Sequence, residues 1–316
     1  MEDLHIKALS IFDPYLLEKE NQASQQDFRF VQYTNAEAAM RIIQNREVWL
    51  RNVQCMNDYR EIDHGFECLI SAYKSENGLR LSNQVNEIFP DLMKEIEELI
   101  DGWFPHLQQE TYITCVSEHP DDENEYGRLS MWRAYGGDQP VALIINGESI
   151  QLEDAVFNAS TYPVKYLDPE DLIEEFGLLC ARFASNRSTI DALGRENVKS
   201  YLFELFKSYS LCIKHPGFNE EREWRIVYNP QLNPSELVES SIESVRGIPQ
   251  EIYKLPLKDI EEAHYTTGKV SDVIQGIIIG PTEHQDFLKK TFIKILSEAG
   301  CNEPSSLVHV SGIPLR

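Results

Sequence analysis

The strongest local signal for chemistry lies in the second half of the chain, in the sequence Lys-His-Pro-Gly-Phe-Asn-Glu-Glu-Arg-Glu-Trp-Arg that begins at Lys214. If a strand begins at about Glu221, alternation places Glu221, Glu223 and Arg225 on one face. Two neighbouring carboxylates beside a guanidinium are suited to acid–base work, and Arg225 can hold a phosphate or a partner carboxylate. The alternative is a charged edge strand with surface ion pairs, which periodicity alone favours.

Two further polar clusters precede this segment. Asn57 and Asp58 fall between a predicted strand and a predicted helix, where they either turn the chain and cap the helix or form a polar wall of a pocket. Ser117 ends a predicted strand, and Trp132 and Tyr135 lie three residues apart on a short predicted helix. These two aromatic residues share a face, so they either enclose a flat ring such as adenine or nicotinamide or fill the core.

Composition and missing motifs exclude several common classes of protein. The net charge of −23 disfavours nonspecific nucleic-acid binding, although a local basic groove remains compatible with it. The sequence has no Walker A loop, no Gly-x-Gly-x-x-Gly, no Gly-x-Ser-x-Gly and no His-Glu-x-x-His motif. Its six cysteines form no Cys-x-x-Cys pair, and its histidines form no i, i+4 pair, so no metal site is predicted.

The elements that must position these residues alternate without a regular βαβ pattern. Strands are predicted at residues 29–33, 48–50, 111–117, 141–145, 222–228 and 273–279, and helices from Arg60, from Leu92 and at residues 172–183, 198–213 and 283–298. The predicted fold class is α+β, with a mainly antiparallel, split β-sheet core and peripheral helices. Residues 1–28 are predicted to form an N-terminal arm or capping helix, and residues 29–316 a single α+β domain.

The apolar segments are of strand length, and none approaches the ~20 residues that a membrane helix needs. The N-terminus has acidic residues where a signal peptide carries positive charge. The sequence therefore predicts a cytoplasmic protein with no membrane partner.

Taken in order, these motifs resemble a bacterial family, domain of unknown function 2971. The resemblance runs from about Phe30 to the end of the chain, and the ordered set is more specific than any one motif. The residues that carry it are Tyr33, Val48-Trp49-Leu50, Asn57-Asp58 with Glu61, Cys115-Val116-Ser117-Glu118, Met131-Trp132-Arg133-Ala134-Tyr135-Gly136, Lys214 and Glu221-Arg222-Glu223-Trp224-Arg225.

The layout of this family is similar to the ADP-ribosyltransferase fold, and the similarity implies roles for particular residues. Glu223 is expected to hydrogen-bond the nicotinamide ribose of NAD and stabilise an oxocarbenium-like transition state, with Glu221 orienting the acceptor. The other residues implied in binding NAD, as substrate, are Tyr33, Asn57, Asp58, Ser117, Trp132, Tyr135, Lys214 and Arg225. Position 32 is Gln, where Arg or His commonly begins the transferase motif, so Arg225 or Lys214 is expected to supply the phosphate or ribose contact.

Three functions therefore remain open at the level of sequence. The first is NAD-dependent ADP-ribosyl transfer to a protein or nucleic acid, as a toxin or phage-defence effector with a cognate antitoxin or chaperone. The second is a Mg²⁺-dependent nuclease or phosphodiesterase that uses Asp58, Glu61 and the two glutamates, with Lys214 supporting the attack. The third is a nonenzymatic module whose acidic surface binds a basic protein. The acidic balance of the chain counts against the nuclease, so the transferase ranks first.

Overall fold

The computed structural model describes residues 2–25, 27–56, 60–150, 154–261 and 265–314. Its helices are α1 (Glu2–Phe12), α2 (Pro14–Ala23), α3 (Ala36–Asn45), α4 (Arg60–Lys74), α5 (Glu76–Ile88), α6 (Leu92–Gln109), α7 (Leu129–Tyr135), α8 (Asp154–Phe157), α9 (Pro169–Ser185), α10 (Arg187–Cys212), α11 (Val270–Val273), α12 (Gln285–Glu298) and α13 (Pro304–Leu307). Its strands are β1 (Arg29–Asn35), β2 (Glu47–Asn52), β3 (Tyr112–Glu118), β4 (Pro140–Asn146), β5 (Ser160–Pro163), β6 (Lys165–Tyr166), β7 (Ile213–Lys214), β8 (Glu223–Tyr228), β9 (Glu239–Val245), β10 (Ile248–Pro256), β11 (Ile274–Ile279) and β12 (Val308–Val310).

The chain groups into two compact units, each made of three segments. The helical unit contains Met1–Asn21, Val53–Thr111 and Tyr162–Glu220, and the sheet unit contains Gln22–Asn52, Tyr112–Thr161 and Glu221–Arg316. The predicted boundary at residue 28 and the single domain after it stay predictions.

The helical unit has its own apolar core. The helical stripe predicted from Arg60 forms α4, and the pattern predicted after Pro90 forms α6. Leu69, Ile96, Phe176 and Tyr209 are among the side chains buried together in this core. The helix α10 is interrupted at Gly194, whose φ of 73° is a conformation that glycine adopts without steric cost.

The sheet unit is organised around a mostly antiparallel sheet. Its main path of strands runs β12-β11-β4-β1-β3-β2-β10-β9, and β8 pairs with β3 beside this path. Every pair along the path is antiparallel except β11 with β12, which is parallel. The prediction of an α+β chain with mainly antiparallel strands is confirmed.

Local sequence signals explain how the chain passes from β1 into α3. Asn35 ends β1, and its side-chain oxygen accepts the backbone N–H of Ala38 at 2.9 Å, which caps α3. The helix ends at Arg46, whose left-handed conformation returns the chain to β2.

The strand β3 is the central element of the candidate site, because it contacts three other strands. It pairs with β8 from Tyr112 to Ser117. The register with β2 covers Tyr112 and Ile113, whereas the register with β1 covers Ser117 and Glu118. The strands β1 and β2 therefore meet β3 at opposite ends.

Across the described part of the chain, no helix is long and apolar enough to cross a membrane.

Candidate active site

One row of side chains crosses the sheet where β1, β3 and β8 meet. Ser117 of β3 lies opposite Val31 of β1 and opposite Glu223 of β8. Side chains alternate along strands, so Tyr33 lies on the same face as Val31, and Arg225 on the same face as Glu223. Four predicted site residues, namely Tyr33, Ser117, Glu223 and Arg225, therefore share one face of the sheet, and all four are buried.

The opposite face of the same strands is apolar. Phe30, Val116 and Trp224 belong to the main hydrophobic core of the sheet unit, with Ile226 and Tyr228 further along β8. The rings of Phe30 and Trp224 meet edge to face at 5.3 Å. The predicted alternation of charged and apolar side chains along β8 is confirmed from Glu223 onward.

Glu223 and Arg225 form a buried ion pair, in which Arg225 Nε donates to Glu223 Oε1 at 2.7 Å. The sequence left two roles open for Arg225, a phosphate or a partner carboxylate, and the structure places it against the carboxylate. A guanidinium at this distance favours the charged carboxylate and fixes its orientation. Arg225 therefore holds the carboxylate of Glu223 in one orientation.

Glu221 does not belong to the strand, so the prediction of a strand from Glu221 is wrong at its first residues. Glu221 ends a 3₁₀ turn, Pro216–Glu221, and β8 begins at Glu223. The residue between them, Arg222, has a φ of 44°, a left-handed conformation that interrupts the alternation. Glu221 is nevertheless held near the other motifs, because the hydroxyl of Tyr135 donates to its Oε1 at 3.0 Å.

Trp132 packs as a core side chain in the sheet unit, which is one of the two roles that the sequence allowed. Its ring meets Tyr33 edge to face at 4.7 Å, and its Nε1 donates to the carbonyl of Tyr126 at 2.8 Å. The neighbouring Tyr135 packs against this cluster while it donates to Glu221. Binding of a flat ring by Trp132 and Tyr135 stays a prediction.

The buried hydroxyl of Tyr33 accepts the backbone N–H of Arg128 at 2.7 Å. Burial, the largest influence, raises the pKa of Tyr33 to about 12, and the carboxylate of Glu123 acts in the same direction. Tyr33 is therefore a neutral hydrogen-bonding group at physiological pH.

Arg128 joins several of these elements, and sequence reasoning missed it. Its guanidinium forms a two-point contact with Glu123 at 2.9 and 3.0 Å, and it donates to the carbonyls of Glu118 and Glu221 at 3.2 and 3.1 Å. One side chain thus ties the end of β3 to the residue that precedes Arg222 and β8. In the sequence, Arg128 is recognisable only as an arginine that follows an acidic loop. That position does not indicate which residues its guanidinium contacts.

The comparisons with known proteins bear on part of this site. Residues 131–226 match a family model described as "Protein of unknown function (DUF2971)". This match confirms the resemblance to DUF2971. The matched DUF2971 segment contains Trp132, Tyr135, Lys214, Glu221 and Glu223, together with Arg225, whereas Tyr33 and Ser117 precede it. No curated protein and no solved structure matched the chain.

The remaining predicted residues belong to the helical unit or lie outside the described residues. Lys214 is buried in β7, with its ammonium over the ring of Phe218 at 4.9 Å. Asn57 and Asp58 fall outside the described residues, as does the side chain of Glu61. Their place in a common pocket with the other motifs, and with it the proposed Mg²⁺ site, stays a prediction. Among the described residues, no group of three or more His, Cys, Asp or Glu side chains is arranged to hold a metal ion.

Proposed function

We propose that this chain transfers ADP-ribose from NAD to a macromolecular acceptor, with Glu223 as the central catalytic residue. The observation that carries the proposal is the row formed by β1, β3 and β8. The resemblance implied a polar residue on an early strand, a serine on a second strand and a glutamate on a late strand. Here Tyr33, Ser117 and Glu223 share one face of three adjacent strands, at the place where β1 and β2 diverge along β3.

The ionised state of Glu223 supports this chemistry. When the bond between the ribose C1′ and nicotinamide breaks, nicotinamide leaves with the bonding electrons and positive charge develops on the ribose. A carboxylate fixed beside that ribose stabilises the developing charge without having to reorient. Arg225 acts as a positioning residue, because its contact at 2.7 Å holds the carboxylate in place.

Glu221 suits a second role in the same reaction. The acceptor nucleophile forms the new bond to C1′ and releases a proton, so a second carboxylate near the first can orient the acceptor. Tyr135 holds Glu221 by its hydroxyl, and Arg128 holds the backbone of the same residue. A toxin or phage-defence role, with an antitoxin or chaperone as partner, would follow from such an activity and is part of this proposal.

The test is release of nicotinamide from NAD, detected by mass spectrometry with EDTA present. The assay is run with purified protein alone and with a bacterial lysate as the source of acceptor. We expect release by the wild type in at least one condition and a loss of at least a hundredfold in Glu223→Gln, in line with the size of electrostatic effects at such sites. Absence of release in both conditions contradicts the proposal.

Glu239→Gln is the matched control, because it makes the same chemical change at an exposed position of β9 in the same unit. It should leave nicotinamide release unchanged. If both variants lower release equally, Glu223 has no special role.

A further inference from the structure

A short acidic turn lies against three arginines in the sheet unit. The 3₁₀ turn Asp121–Glu123 directly follows β3 and Pro120. Asp121 pairs with Arg29, and Glu123 pairs with both Arg128 and Arg222, at 2.9 and 3.5 Å respectively. Two of the three carboxylates of this turn are thus shared among three guanidiniums.

The three arginines are not equivalent. Arg128 has a side chain only 10% exposed and is committed to the carbonyls of Glu118 and Glu221. Arg222 is 43% exposed and Arg29 is 19% exposed, and each faces one carboxylate of the turn. Arg128 is therefore structural, whereas Arg29 and Arg222 present guanidinium groups that solvent can reach.

Arg29 and Arg222 are held on the two sides of the end of β3. The backbone N–H of Glu118 donates to the carbonyl of Arg222 at 3.0 Å, and the backbone N–H of His119 donates to the carbonyl of Arg29 at 2.9 Å. Arg222 also lies between Glu221 and Glu223 in a left-handed conformation, which costs an arginine free energy and is typical of functional sites. These contacts fix the backbone of both arginines at the end of β3, and Arg222 directly precedes the proposed catalytic residue Glu223.

A buried polar atom lies in the same region. His119 is almost fully buried, its Nε2 contacts the side-chain oxygen of Asn124 at 2.9 Å, and its Nδ1 has no hydrogen-bond partner within the described part of the chain. Burial lowers the pKa of His119, and the charges of Arg29 and Arg128 lower it further. Because Asn124 Oδ1 can only accept, Nε2 donates to it and Nδ1 of the neutral ring is an acceptor, so His119 is not a ligand for phosphate oxygens.

Phosphate oxygens are the ligand class that suits the guanidinium groups of Arg29 and Arg222. Guanidinium groups bind phosphate through two parallel hydrogen bonds. A single contact with a carboxylate at the surface is weaker than such a two-point contact. Asp121 is 93% exposed, so its pair with Arg29 is a surface ion pair and contributes little to stability. An incoming anion can displace such a pair at low cost.

We propose that Arg222 and Arg29 form a subsite for the diphosphate group of the dinucleotide, and that Asp121 occupies it as an internal competitor until the ligand displaces it. This inference rests on the proposed function for the identity of the dinucleotide. It replaces Arg225 and Lys214 as the expected phosphate contacts, because Arg225 is paired with Glu223 and both side chains are buried.

The direct test is titration of the full chain with inorganic pyrophosphate at constant ionic strength, followed by calorimetry. Asp121→Asn should tighten binding about two- to fivefold, the range expected when one exposed ion pair no longer competes. Asp122→Asn is the matched control, because it removes the same charge from the same turn. Within the described residues Asp122 has no ion-pair partner, so its loss should leave the affinity unchanged.

The cationic side of the subsite is tested with Arg222→Gln, which should weaken pyrophosphate binding by about tenfold or more. Arg246→Gln is its control, because Arg246 is also exposed and also has a positive φ, of 53°, in the turn between β9 and β10. Equal effects of Asp121→Asn and Asp122→Asn, or of Arg222→Gln and Arg246→Gln, would show a general charge effect and overturn the proposal.

The two proposals fail in different ways. Pyrophosphate binding that depends on Arg222 without any nicotinamide release would keep the subsite and contradict the transferase. Nicotinamide release that depends on Glu223 but is unaffected by Arg222→Gln, with no pyrophosphate binding, would keep the transferase and overturn the subsite.

Discussion

The two faces of β8 differ in how much stability they gain from burial. One face carries Trp224, Ile226 and Tyr228, whose apolar surface is stabilised by removal from water. The other face carries Glu223 and Arg225. Burial removes water from both side chains, and the ion pair between them replaces the lost contacts with water. Burial of an ion pair gives little net stability compared with apolar residues of the same volume. The apolar face therefore contributes most of the net stability of this strand, and the proposed function gives a reason for the charged face.

The largest effect is expected when the ion pair is broken on one side only. Arg225→Met should lower the free energy of unfolding by about 3–5 kcal/mol, because Glu223 then keeps a buried charge without its guanidinium. The double variant Glu223→Gln with Arg225→Met should recover most of this loss. Urea denaturation measures both. A double variant as unstable as the single one would mean that the pair is essential to the fold, and the contrast between the faces would disappear.

The substitution Trp224→Phe tests the apolar face of β8 at a residue that also forms a polar contact. The indole Nε1 donates to Glu118 Oε1 at 3.0 Å, and phenylalanine removes this hydrogen bond while it keeps most of the apolar contact. We expect a loss of about 1.5–3 kcal/mol, the range for hydrogen bonds to charged groups. Nicotinamide release should persist, measured at a temperature where the variant is folded. Loss of release in a folded variant would show that the two faces are not independent.

The substitution Tyr33→Phe tests the polar face through the pH dependence of stability. The variant removes the oxygen that accepts the N–H of Arg128, which should cost about 1–3 kcal/mol at neutral pH. The pKa of Tyr33 is raised to about 12, so its contribution is complete below the unfolded value of about 10 and is lost as the pH rises through about 12. The melting temperature of the variant should therefore fall less steeply over that interval than that of the wild type. Parallel curves would contradict the assignment.

Ile226→Val should give the smallest effect, about 0.5–1.5 kcal/mol, because it removes one methylene from a well-packed apolar core. Thermal unfolding detects a change of this size. A loss as large as that of Arg225→Met would mean that the apolar face tolerates change no better than the charged one.

Sequence alone predicted much of the fold, because local signals determine much of it. The apolar stripes of α4 and α6 follow from helical spacing, and the faces of β8 from Glu223 onward follow from alternation. The helix α5 was not predicted, although Ser75 caps it. Each confirmed feature depends on residues within a few positions of each other.

The geometry of the site was harder to predict from the sequence. The contacts of Arg128 reach residues at positions 118 and 221, and no local pattern specifies such distances. The conformation of Arg222 was also unpredictable, since arginine rarely adopts a positive φ, and this one residue moved the start of β8 from Glu221 to Glu223. The face shared by Tyr33, Ser117 and Glu223 needed the pairing of β3 with two distant strands.

The order in which the segments appear in the chain has a consequence for synthesis on the ribosome. Each unit is assembled from three separated segments, and β2 pairs with β10, which follows it by roughly 200 residues. At ~5–20 residues per second, β2 waits about 10–40 s for that partner after it has been made. During this time Leu50, which is fully buried in the finished sheet, has no β10 beside it. The nascent chain therefore carries one unpaired edge of β2, with Leu50 uncovered, until β10 has been made, and its yield in cells should depend on chaperones that bind unpaired strands.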